Sequence, residues 1–125
     1  MKKFVVLLLL ITLLAAACSS SSGSDPTQTV EKYMQAKADA DADTISQLLC
    51  SEMENVFERE SRTFESVSGV NIEGMSCQQV GDSQVVSCQG SIVATYGTED
   101  TEFPLVSYRV VEEDGEWKWC GEAGP

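Results

Sequence analysis

The chain has 125 residues, 42% of them hydrophobic, which is enough for one compact core and too little for two ordinary domains. Eight basic residues face twenty acidic ones, a formal net charge of −12, and histidine is absent. A field of that sign repels phosphate backbones and excludes nucleic acid as a partner, while the missing imidazole removes the commonest general base and metal ligand.

Lys2 and Lys3 precede an apolar run over residues 4–17, interrupted by Thr12 alone and ending in small residues at Cys18. The order charged, apolar, small is that of an export signal, and the run is shorter than the roughly 20 apolar residues a membrane span needs. Leu14-Ala15-Ala16-Ala17-Cys18 resembles the lipobox of bacterial lipoproteins, in which the cysteine is lipidated and becomes the first residue after cleavage. The resemblance implies a signal peptide over residues 1–17, a lipid anchor such as palmitate at Cys18, and attachment to a bilayer. The chain is then exported and held at the outer face of the cell membrane, or in the periplasm or outer membrane. Loss of Lys2 and Lys3 leaves six basic residues against twenty acidic ones, a net charge near −14.

Residues 18–24 comprise that cysteine and a Ser/Gly tether with nothing apolar to bury, and residues 25–125 form a single domain. Asp25-Pro26 supplies a helix cap followed by proline at the first helical position, and Val30, Tyr33, Met34, Lys37 and Ala38 recur at helical spacing. After the polar break at residues 39–44, Ile45, Leu48, Leu49 and Met53 mark a second helix capped by Asp43 or Thr44. Val56, Phe57, Glu60 and Phe64 extend a helical face through residues 54–64. Alternation then predicts strands over residues 72–80 and 84–96, joined at Asp82-Ser83, and a turn at residues 97–101. A third strand over residues 103–113 leads into the last hairpin.

That hairpin turns at Asp114-Gly115, a pair suited to two positive-φ positions. The register places Val110 opposite Trp119 and Glu112 opposite Trp117. Tyr108, Val110, Trp117 and Trp119 therefore share a core-facing side, and Arg109, Val111, Lys118 and Cys120 share the other. Tyr108, Trp117 and Trp119 are candidate ligand-binding residues. Arg109 is either an anion ligand or the partner of a neighbouring acid, the second being the reading favoured.

Helices first and strands after, with Thr29-Val30-Glu31-Lys32-Tyr33 and the Tyr108 to Trp119 hairpin, resembles the nuclear transport factor two-like superfamily. The resemblance implies an α+β cone in which N-terminal helices pack on a curved antiparallel sheet, here of four strands. Such cones serve enzymes, carriers and interaction modules alike, so the fold alone assigns no activity.

Cys50, Cys77, Cys88 and Cys120 form an even set in an exported chain, which argues for two disulfides. With the turn at Asp82-Ser83, Cys77 lies directly opposite Cys88, and Cys50 pairs with Cys120 by elimination. The spacing lacks a CxxC pair, so no metal site is expected. No catalytic residues and no cofactor are expected either, because nothing in the sequence places a carboxylate beside a donor. The leading expectation is a non-enzymatic module for a small apolar ligand or an envelope protein. A small isomerase or hydrolase and a purely structural lipoprotein are the alternatives. The global charge favours a ligand that is neutral or cationic.

Overall fold

A computed structural model describes residues 25–124, so the expected signal peptide, Cys18 and the serine tether lie outside the described residues. Three short helices are followed by five antiparallel strands in one curved sheet, an α+β arrangement. Among the described residues no helix is long and apolar enough to cross a membrane.

Helix α1, Pro26–Ala38, starts as its sequence requires: the Asp25 carboxylate accepts from the N–H groups of Thr27 at 2.8 Å and Gln28 at 3.4 Å. Its Val30, Tyr33, Met34 and Ala38 are buried against the sheet. Because the cap satisfies two otherwise unpaired donors, Asp25→Ala should cost about 1 kcal/mol in a urea melt, whereas Asp25→Ser should cost little. Helix α2, Ala42–Leu48, is capped by Asp41 rather than by Asp43 or Thr44. Asp41 accepts from both the N–H and the hydroxyl of Thr44, and the hydroxyl bond comes first among the causes that lower its carboxyl below the usual range. The next segment forms a 3-10 turn, Ser51–Val56, and then α3, Phe57–Arg62.

The strands are β1 Gly69–Gln79, β2 Val85–Tyr96, β3 Glu99–Pro104, β4 Ser107–Glu113 and β5 Glu116–Glu122. The sheet has five strands instead of the expected four, because the stretch over residues 103–113 is broken. Both β3 and β4 lie along the same edge of β2, with Ser91 opposite Pro104 and Ser87 opposite Ser107. Three β2 residues therefore face two on the other side, a bulge at Gly90 that interrupts the ladder and turns Leu105 inward. A matching irregularity in β1 falls between Glu73 and Ser76, so the sheet bends along one line through Gly74 and Gly90. The β2–β3 turn is only Gly97-Thr98, shorter than expected.

The last hairpin forms as its sequence dictates. Asp114 and Gly115 take φ of 52° and 78°, and Val110 faces Trp119 while Glu112 faces Trp117. Cys77 faces Cys88, and the two sulfurs are bonded, as are those of Cys50 and Cys120. The second bridge ties the start of the 3-10 turn to β5, beside the Cys50 N–H that donates to the Trp119 carbonyl at 2.9 Å.

Candidate functional site

The concave side of the bent sheet is only partly filled by the helices. A cavity of about 370 Å³ remains between α1, the Ser51–Arg62 segment and the sheet. Its apolar wall comes from Met34, Met53, Phe64, Ile92, Leu105 and Trp119. Met53 packs over Gly121 at the bulge in β5, where φ is 95° and an added Cβ would stand 3.5 Å from the Met53 methyl. Phe64 and Phe103 meet edge to face at 5.6 Å, with Phe103 40% exposed. The indole of Trp119 stacks on Tyr33, ring centres 4.0 Å apart and planes within 9°, a contact worth about 1 kcal/mol beyond its buried area.

The polar side of the cavity is a cluster that the sequence did not single out. Glu60 of α3, 5% exposed, accepts from the Tyr33 hydroxyl at 3.1 Å and pairs with Lys37 of α1 at 2.7 Å. Arg59 stands 3.6 Å from its other oxygen and is mostly exposed. A buried carboxylate needs this company, since an unpaired charge in an apolar setting costs several kcal/mol. The signal was present in the pattern. Lys37 and Glu60 both sit at apolar positions of their helical faces, with opposite signs, as two partners meeting inside a fold would.

Burial pushes the Tyr33 hydroxyl far above its ordinary range, and the Glu60 charge and hydrogen bond push it further. Tyr108 is also raised, first by burial and then by Glu122 and Glu60, while the Val106 N–H opposes the shift. Each therefore keeps its proton to higher pH when folded than in the unfolded chain, where a tyrosine ionises near pH 10. Above about pH 10 the folded state thus binds more protons, so stability is complete below that pH and declines above it. The slope is at most about 1.4 kcal/mol per pH unit for each tyrosine. Urea melts between pH 8 and 11 should show this decline, and Tyr33→Phe should flatten it.

Of the four candidate ligand-binding residues, the structure brings two to the cavity, Tyr108 and Trp119. Trp117 shares their side of the sheet but lies nearer the hairpin tip, in a separate groove with Lys32, Leu48 and Lys118. Arg109 is on the opposite face, paired with Glu52 and 3.2 Å from the Cys120 sulfur, which is the ion-pair role. Cys50, Glu52 and Cys120 also cluster closely enough to suggest a metal, but both sulfurs are committed to the disulfide.

No protein-family model and no curated protein matches the chain. Solved structures do. A SEC-C motif containing protein from Rhodopseudomonas palustris superposes with a TM-score of 0.56 at 16% identity, over 83% of this chain and 82% of that one. A designed nuclear transport factor two-like protein superposes with a TM-score of 0.53 at 13% identity, over 80% of this chain and all of the design. At such identities the likeness is one of fold, and the fold is the nuclear transport factor two-like cone.

Proposed function

We propose that the chain is an exported, membrane-anchored lipoprotein whose cone is a non-enzymatic binding module for a small, largely apolar ligand. The observation that carries the binding role is the cavity beside Trp119, whose volume lies within the range of small-molecule sites and whose few polar groups converge on one side. A cone serving only as structure, or docking a protein through its outer surface, has no need of that space.

An isomerase or hydrolase reading is favoured by one observation, the buried Glu60 beside the Tyr33 hydroxyl. Against it, one Glu60 oxygen already takes both the Lys37 ammonium and the Tyr33 hydroxyl, so its capacity to accept a substrate proton is reduced. The arrangement suits a group that organises a binding wall.

Anchoring rests on the lipobox-like residues up to Cys18. Intact-mass analysis of membrane-extracted protein is expected to find a chain starting at a modified Cys18. Recovery of a soluble chain cleaved elsewhere would refute the anchor. Binding is tested with a neutral apolar dye, N-phenyl-1-naphthylamine, on a Trp117→Phe background that leaves Trp119 as the only indole. Saturable quenching of Trp119 emission is expected, and a titration with no saturable change would remove the cavity as a site.

A further inference from the structure

We propose that the ligand of the Trp119 cavity is an amphiphile with an apolar chain and an anionic, acceptor-rich head, a carboxylate being the simplest. The inference rests on the cavity being a ligand site, and it concerns which groups there still lack partners. Lys37 spends one contact on Glu60 and has three protons to give, and Arg59 makes only the 3.6 Å approach. The Tyr108 oxygen accepts from the Val106 N–H at 3.2 Å, which leaves its own proton without an acceptor among the described residues. Trp119, 3% exposed, contributes ring surface to the wall, its Nε1 being closed off from solvent and from the cavity. Lys37, Arg59 and Tyr108, three donors with protons to spare, therefore line one largely apolar space.

The chief acceptor there is partly used: one Glu60 oxygen takes both Lys37 and Tyr33, and the other has Arg59 at 3.6 Å. Glu122 is a second lining carboxylate, exposed to solvent. The chain as a whole is strongly acidic, which taken alone would disfavour an anion. Exposed charges are screened beyond a Debye length of about 8–10 Å, however, while donors in the cavity act at contact distance with less water between. The local surplus of donors outweighs the distant field. An ammonium head would have to share Glu60 with Lys37, whose like charge stands 2.7 Å from that carboxylate and repels it.

The test is a titration of the Trp117→Phe protein with decanoate, 1-decanol and decyltrimethylammonium, all below their aggregation limits and all with the same tail. Decanoate is expected to bind at least about tenfold more tightly than decanol, because charge-assisted hydrogen bonds separate the two heads. Arg59→Gln and Lys37→Met should each weaken decanoate several-fold and leave decanol unchanged. Lys37→Met strips Glu60 of its partner and can cost stability. Arg59→Gln changes a side chain that is 69% exposed, so it is the variant that must respond. Equal binding of decanoate and decanol, or tightest binding of the ammonium, overturns the inference while the cavity stands as a site. Failure of all three ligands, and of the neutral dye, overturns both.

Discussion

Replacing the Cys50–Cys120 bridge by Cys50→Ala with Cys120→Ala is expected to lower stability by about 4 kcal/mol, against about 3 kcal/mol for Cys77→Ala with Cys88→Ala. The difference comes from loop length, 70 residues of separation in the first bridge and 11 in the second. In the chain-entropy picture the longer loop restricts the unfolded chain more. For a domain of this size, whose whole stability is of order 5–15 kcal/mol, either loss is severe. The first variant also frees the Ser51–Arg62 segment, which carries Met53, Arg59 and Glu60. Its remaining ties include the Ser51 hydroxyl donating to Glu113 at 2.8 Å and the Arg59, Lys37 and Tyr33 contacts of Glu60. Urea unfolding of the two double variants measures the ranking. A Cys50/Cys120 loss below 1 kcal/mol, or the reverse order, would show that the unfolded chain is not what the bridge constrains.

Much of this fold was readable from local chemistry. The Asp25-Pro26 start, the positive-φ pair at Asp114-Gly115 and the Cys77 to Cys88 register each depend on a few neighbouring residues, and each appears in the structure as expected. The missed features depend on distant parts of the chain. Pro104 is a local sign of the break, since proline cannot donate to a ladder and β3 ends on it, but the bulge that sets the two strands side by side lies across the ladder at Gly90 of β2. The cap of α2 moved to Asp41 because several consecutive positions offered an acid or a hydroxyl, and only the exit path of α1 selects among them.

The site was less readable than the fold for the same reason. Tyr108 and Trp119 followed from strand alternation, which is local. Glu60 shares a helical face with Val56, Phe57 and Phe64, which hints at burial, but its partners across α1 follow only from α3 lying against α1. Only the three-dimensional meeting of Lys37, Tyr33 and Glu60 makes a wall of hydrogen-bonding groups. Total charge averages over the whole surface, whereas the cavity is lined by two basic side chains, Lys37 and Arg59, and two acidic ones, Glu60 and Glu122.

Among the described glycines, Gly90, at the bulge of β2, is the one least able to change. Gly90→Ala is expected to cost at least about 3 kcal/mol or to prevent folding. Its φ of 100° is one that side chains of L-residues rarely adopt, and an added Cβ would stand 2.6 Å from the Glu73 oxygen and from the Gly74 carbonyl atoms. Those are backbone atoms of the paired strand, so they cannot rotate away as a side chain would. Gly81→Ala separates the two effects. Its φ of 56° is also left-handed, but a Cβ there meets nothing within 4 Å, so the cost should stay near 1 kcal/mol. The Gly90 carbonyl also accepts from the Leu105 N–H at 2.9 Å, which sets Leu105 into the cavity wall. A Gly90→Ala protein that still folds should therefore bind the neutral naphthylamine dye more weakly. Urea melts of both variants decide the matter: a Gly90→Ala cost no larger than that of Gly81→Ala would mean that β1 and β2 do not approach closely at Gly74 and Gly90, and that the sheet bends elsewhere.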